Sequence, residues 1–387
     1  MEMYNGRYFV LNKGFLTMMG LWPYNDWKRY IIRSIFTAMT LIFSTPHVIG
    51  IILDIKDTDK LLDHLTAVLF LTAMFFKLLI ISVSDIKMRI MWDAIVENWA
   101  LIAVPEEVKI MIETGERGRK LTIAYAGMIF GSGSFFIMLP LLPTLLDKVK
   151  PLPTPRDTLS ILNGEFLVEN KEAYYWLFYL SDALSVLLVT LIVVVIDTAY
   201  IVCVEHCVGL FAIIKYRLQQ PNRLAYDDSR GMDEAYTYMS KIIQLHQRVL
   251  DFSIILGDSY SMCFFVLMLF HVVQLPTVSV LILINLHQPV HLFRYVFVFL
   301  ALTVHQLALH WAAQRLSDAS ENIFTDSYCN EWYSSSLRTR KLLSFLMFRC
   351  VKPAVISAGG IIDMGMATFY GVTSKAISYI TVLGSFR

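Results

Sequence analysis

Apolar runs close to the length that crosses a bilayer recur along the whole chain. A hydrocarbon core about 30 Å thick takes roughly 20 residues of helix. Residues 34–53 form one such run without a charge, and 65–84 form a second broken only by Lys77. The run 121–146 carries Gly127, Gly131 and Gly133, which suit close helix packing. The run 183–204 has Asp197 as its one charge. From Ser259 to Gln314 the one formal charge is Arg294, so two helices fit there, 254–276 and 287–311. Their turn falls either near Pro276 or between Asn285 and Pro289. A last run, 360–386, is interrupted by Asp363 and Lys375. The pattern predicts seven transmembrane helices in an all-α integral membrane fold, as one domain over 1–387.

Two further segments show helical periodicity outside these spans. In 205–253 the positions Met239, Ile242, Leu245, Val249 and Phe252 fall at 3–4 spacing; in 312–352 Leu342, Leu343, Leu346 and Met347 do the same. Apolar faces outside a membrane need a partner. The reading is a helical anchor bundle beneath the membrane, with the faces around Leu245 and Leu342 also holding copies of the chain together.

Loop charge orients the spans. The side formed by 1–33, 85–120, 205–252 and 311–352 carries 23 Lys and Arg, against seven on the other side. Basic loops face the cytoplasm. The N-terminus is therefore predicted inside and the C-terminus outside, opposite to a G-protein-coupled receptor. No internal repeat is visible, which disfavours an inverted-repeat transporter.

Composition agrees: 56% hydrophobic, 13% aromatic and 17% charged residues, with a formal net charge of +1. That balance gives no bulk electrostatic case for nucleic acid. No secretory signal or N-x-S/T sequon is present. Four of the five cysteines (Cys203, Cys207, Cys329, Cys350) fall at or near the reducing side, and Cys263 falls in a helix. No disulfide is expected. Cys203 and Cys207 read as inert small residues, with acylation as the alternative.

Enzymatic motifs are missing: no Walker loop, nucleophile elbow or HExxH occurs. His287 and His291 have metal-ligand spacing, but Pro289 lies between them, so they read as an interfacial turn. No cofactor or metal is implied. Two other patterns carry more. Ser374, Ser378, Thr381 and Ser385 recur on one face of the last helix, flanked by Lys375 and Val382. Such a stripe is either helix packing or a pore wall, and a pore wall needs several copies around an axis. The middle helices are rich in aromatics and Met. An interfacial aromatic belt explains part of this. The alternative is an apolar pocket among helices two to six, with Phe75, Phe76, Phe135, Phe136, Tyr179, Phe264 and Met268 as candidate contacts.

The C-terminal stretch resembles a known family. Gln314-Arg-Leu316, Ser320 and Tyr328-Cys-Asn-Glu-Trp-Tyr333 look like the exit from helix six of the insect odorant receptors. Lys352-Pro353 with Ala358-Gly-Gly360, then Ser378-Tyr379-Ile-Thr-Val-Leu383, resemble the approach to the last helix and its signature. Leu21-Trp22-Pro23 is also typical. The sister gustatory receptors end in a related pattern, of which Ser378-Tyr379 followed by Ser385-Phe386 is a loose version. The Lys-Pro and Tyr-Cys-x-x-Trp-Tyr features favour the odorant branch. The resemblance implies a ligand-gated nonselective cation channel in the plasma membrane of a sensory dendrite. It implies a tetramer with co-receptor subunits, an apolar odorant as ligand, and a pore lined by the last helix. Within that helix it places the gate at Val382 and Phe386, with the polar Ser385 between them and Ser378 on the pore wall.

Overall fold

The computed structural model describes residues 6–24, 27–149, 159–170, 173–220, 224 and 234–385, with backbone alone for Leu146 and for 379–385. The elements are helical throughout except for one tiny hairpin. In chain order they are α1 (Val10–Met18), α2 (Lys28–Leu53), α3 (Thr58–Val83), α4 (Asp85–Ala100) and α5 (Pro105–Met138). A short 3-10 turn leads into α6 (Leu142–Val149). The long helices α7 (Tyr175–Leu218), α8 (Glu234–Ile284) and α9 (Pro289–Tyr328) follow. Then come α10 (Leu337–Cys350), β1 (Ser357–Ala358), β2 (Ile362–Asp363) and α11 (Met366–Ser385).

Among the described residues six helices are long and apolar enough to cross a membrane. They differ in what they face. The most apolar stretch of α7 is 83% buried, so α7 is the central post of the bundle. A helix apolar all round belongs in such a position. The corresponding stretch of α2 is 17% buried, and it exposes Ile31, Ile35, Leu41, Ile42 and Ile52. An outer surface of that kind is suited to lipid rather than water.

The long helices overrun the predicted spans. At 1.5 Å per residue, the 44 residues of α7 extend ~66 Å, the 51 of α8 ~76 Å and the 40 of α9 ~60 Å. Each exceeds a ~30 Å core, so the expected anchor segments are largely continuations of the spans. Ion pairs clamp these continuations together. Arg315 binds Glu205 through Nε at 2.8 Å, and Arg217 binds Glu107 through Nε at 2.7 Å. The turn between α8 and α9 lies at 285–288, and α8 runs through Pro276. Pro289 sits at the first turn of α9, where its missing N–H costs nothing.

Two helices had no sequence reading, α1 and α4, and the predicted span 121–146 is divided between α5 and α6. α4 buries Met88, Met91, Trp92 and Ile95 at helical spacing. Trp22, from the Leu-Trp-Pro segment, packs on Trp92 with ring centroids 5.3 Å apart. The start of the last helix also differs from the predicted 360. Gly359 and Gly360 both have positive φ, 62° and 70°, and close the β1–β2 hairpin. Glycine adopts that conformation without steric cost. Two residues of the C-terminal motif fix this region. Ser320 Oγ accepts from the Ala354 N–H at 3.0 Å, and Gln314 Oε1 accepts from the Met366 N–H at 3.1 Å.

α8 and α10 do pack on each other. Val249 is 0% exposed, Leu346 is 2% exposed, and Leu245 is also buried in the same core. Side chains used inside the chain cannot also join copies of it. The face that α10 leaves free carries Phe345 and Phe348, 70% and 81% exposed. Cys203 and Cys207 are fully buried on α7 and present no thiol for acylation. Burial pushes the Cys350 thiol up to about 11, which keeps it protonated at neutral pH.

Candidate ligand cavity and its polar floor

A cavity of about 160 Å3 lies toward the end of the bundle that has fewer loop cations. Its walls come from α3 (Phe70, Leu71), α5 (Ile129, Phe136), α7 (Val189, Val193) and α9 (Val298, Leu302), with Gln274 of α8 beside them. Gly133 lets α5 approach α7 here, since a Cβ at that position would meet Thr190 Cγ2 at 2.5 Å.

The segment 159–170 caps the cavity, with Leu162 lining it. Asp182 at the start of α7 holds the cap, accepting from Ser160 Oγ and from the Leu162 N–H, both at 3.1 Å. Asn163 sits at φ 53°, a left-handed conformation that Asn tolerates. Its Nδ2 donates to Asp63 Oδ2 at 2.6 Å. Asp63 Oδ1 accepts from Arg294 Nη2 at 3.4 Å. The Arg294 guanidinium also stands 5.7 Å from the Phe136 ring centroid, within cation–π range.

Beneath the cavity lies a fully buried ion cluster drawn from four helices. Lys77 Nζ donates to Asp197 Oδ1 at 2.5 Å. Tyr125 OH donates to Asp197 Oδ2 at 2.7 Å, and His305 Nε2 lies 2.9 Å from the same oxygen. Lys77 is 1% exposed and Asp197 0%. A buried charge is tolerated when paired and hydrogen-bonded, and Asp197 has both. His305 lines the cavity as well as joining the cluster.

Of the seven candidate contacts, Phe136 lines this cavity. The other six sit elsewhere. Phe135 is 40% exposed and packs on Phe297, with centroids 4.8 Å apart. Phe75 and Phe76 pack edge to face, and Phe76 reaches Phe270. Tyr179 OH donates to the Ile137 carbonyl at 2.9 Å. Phe264 is buried against Tyr200 and Tyr260, and Met268 is buried in the main core. The polar residues of the site had no place among the candidates, although Lys77, Asp197 and Arg294 interrupt apolar runs. An intramembrane charge is itself a pointer to a site, and two opposite charges in two spans point to a pair.

α11 packs on α8 and α9. Ala376 is buried in one cluster with Leu275, Val278, Leu281, Tyr295 and Leu302. Tyr295 and Leu302 also line the cavity, so this cluster connects the cavity wall to the last helix. Ser378 lies two residues past Ala376, ~200° around at ~100° per residue. It is exposed, and its hydroxyl donates to the Ser374 carbonyl at 2.8 Å. The Val382 and Ser385 side chains, and all of Phe386, lie outside the described residues. Among the described residues no group of three His, Cys, Asp or Glu is placed to hold a metal.

This arrangement is a bundle of long, membrane-type helices around a mostly apolar cavity, and comparisons with known proteins specify it. Residues 57–377 match the family model described as 7tm Odorant receptor. The chain belongs to the insect odorant receptor family. Among curated relatives, odorant receptor 19a and putative odorant receptor 19b of Drosophila melanogaster are each 30% identical over 91 residues. Odorant receptor 67a of the same species is 38% identical over 66 residues. The first two matches cover 24% of this chain and 24% of each relative's length. The olfactory receptor OR5 of Machilis hrabei superposes with a TM-score of 0.79 at 12% identity, over 100% of this chain and 99% of that one. The same receptor in complex with eugenol gives a TM-score of 0.75 over 99% of this chain and 100% of that one.

Proposed function

We propose that this chain is the odorant-binding subunit of a heteromeric, ligand-gated, nonselective cation channel. An apolar small molecule binds in the cavity beneath the 159–170 cap, in the outer half of the membrane. The observation that carries the reading is the shared layer: Tyr295 and Leu302 line the cavity and pack in one cluster with Ala376 of α11. An occupant with different affinities for two positions of that layer shifts the population of the last helix. The similarity to a receptor solved with eugenol supports a small-molecule ligand.

In this reading seven spans, with α11 as the seventh, place the N-terminus inside and the C-terminus outside. The chain sits in the plasma membrane of a sensory dendrite. It assembles as a tetramer with co-receptor subunits, through the exposed Phe345 and Phe348 face of α10, with the half-buried Leu342 at its edge, rather than through the buried Leu245. Four last helices enclose the pore, with Ser378 and Ser385 on its wall and Val382 and Phe386 as gate. Phe136 is the ligand contact retained from the aromatic candidates, and no cofactor takes part. The rival classes weighed from sequence, a gustatory receptor, a G-protein-coupled receptor or a transporter, lose ground to the family match.

The test is whole-cell recording from cells expressing this chain with and without a co-receptor, over an odorant panel. The expected result is an odorant-evoked cation current that needs both chains. A chain that evokes none with the co-receptor, despite matched surface expression, refutes the reading.

A further inference from the structure

The main cavity has a small neighbour. A recess of about 10 Å3 lies between the cap, the end of α5 and the start of α9. Pro140, Ile161, Val290 and His291 are among its walls, and Val290 at its rim is 42% exposed. The recess and the cavity share two lining residues, Phe136 and Arg294. These side chains face each other, with the guanidinium 5.7 Å from the ring centroid. Together they form the partition between a recess at the surface and the cavity behind it.

From the outer end of the bundle, a molecule reaches the cavity past the cap or past this partition. Lifting the cap breaks five hydrogen bonds. Asp182 accepts from Ser160 and from the Leu162 N–H, and Asp63 accepts from Asn163. Tyr175 OH donates to the Leu159 carbonyl, and the Glu165 N–H donates to the Pro46 carbonyl, both at 3.1 Å. Lifting also parts Phe166 from Phe178, whose rings stack with centroids 4.2 Å apart. The partition is held by less. A phenyl ring has no hydrogen bond to lose, and its movement is a rotamer change. Arg294 stays in place through Asp63 at 3.4 Å and the Tyr295 ring, 5.5 Å away. We infer that apolar ligands enter and leave through the recess, with Phe136 swinging against a fixed Arg294 as the gate and the cap remaining a closed roof. The inference rests on the reading of the cavity as the ligand site and adds the ligand's route.

The experiment follows 1-aminoanthracene, a fluorescent apolar probe, on rapid mixing with the purified full-length chain in lipid nanodiscs. Protein-free nanodiscs are the blank. A side chain on the route but outside the cavity changes association and dissociation by the same factor and leaves Kd alone. Val290 and His291 line the recess and no part of the cavity. Val290→Trp and His291→Trp should each slow both rates about tenfold. Their Kd should stay within about twofold of wild type, which also reports an intact fold. Phe136→Leu should speed both rates. The cap is tested by pinning it. A Cβ on Gly164 would lie 3.0 Å from Pro46 Cβ, close to the ~3.5–4.5 Å of a disulfide. Pro46→Cys with Gly164→Cys, in a Cys329→Ser background, should exchange the probe equally fast when oxidised and when reduced. Wild-type rates in both Trp variants overturn the inference, as does exchange that stops when the pinned chain is oxidised. So does a Kd weakened in both Trp variants, which puts those residues in the site rather than on the route. Ala301→Trp separates the two levels, since Ala301 lines the cavity and not the recess. If it leaves Kd unchanged, or if the wild type binds no probe, the cavity is not the ligand site and the underlying reading fails. If it abolishes binding while the other Trp variants exchange at wild-type rates, the route alone fails.

Discussion

At the scale of single residues, the most consequential contact is the pair Lys77–Asp197. Neither side chain is reached by solvent, and Tyr125 and His305 complete the coordination of the carboxylate. Removing one partner of a buried ion pair strands the other charge, at about 3–5 kcal/mol. Lys77→Met alone and Asp197→Leu alone should each lower the melting temperature of the purified chain markedly. The double variant strands no charge and should lose much less than the sum of the two. Strictly additive losses in a thermal melt would show that the two charges do not depend on each other. The same pair shows how sequence reading loses information. Each residue is visible as a blemish in an apolar run. Their separation of 120 positions hides that one answers the other.

At the scale of elements, six long apolar helices were legible because hydropathy reports burial in lipid directly, whereas the last predicted span is not among them. Span ends were less so. α7, α8 and α9 continue past the bilayer because nothing in their sequence stops them, and their charged ends find partners on neighbouring helices. The start of α11 was displaced by the Gly359–Gly360 turn, a local conformational signal that hydropathy does not weigh. The aromatic candidates also scattered, since Phe264 and Met268 fill the core as well as any ligand pocket would require. The prediction belonging to this scale concerns α11. A ring of apolar side chains closes a pore by dewetting. Val382→Ser should therefore raise current in the absence of odorant. Ile380→Ser, ~160° away around the helix, should raise it less. Whole-cell recordings at matched surface expression decide the matter, and an unchanged basal current and ion selectivity in Val382→Ser removes this helix from the gate.

At the scale of the whole molecule, the loop cations set the expected orientation, 23 against seven. A tag placed after Arg387 should be stained by antibody on intact cells. Staining that appears solely after permeabilisation inverts the chain and puts the cavity in the cytoplasmic leaflet. The family and the helical membrane fold were legible in sequence because the C-terminal motif residues have structural tasks. Gln314 and Ser320 tether the start of α11 and the segment before it.

The uninterrupted length of α7 also has a mechanical consequence. It borders the cavity near one end and reaches the Glu205–Arg315 and Arg217–Glu107 ion pairs near the other, over 44 residues with no internal proline. α8, by contrast, carries Pro276. A stiff rod ~66 Å long acts as a lever: a tilt of about 5° about one end carries the other through roughly 6 Å, a full helical turn's rise. Small rearrangements around a bound molecule are thereby geared up with distance, and the amplification needs no hinge, only stiffness.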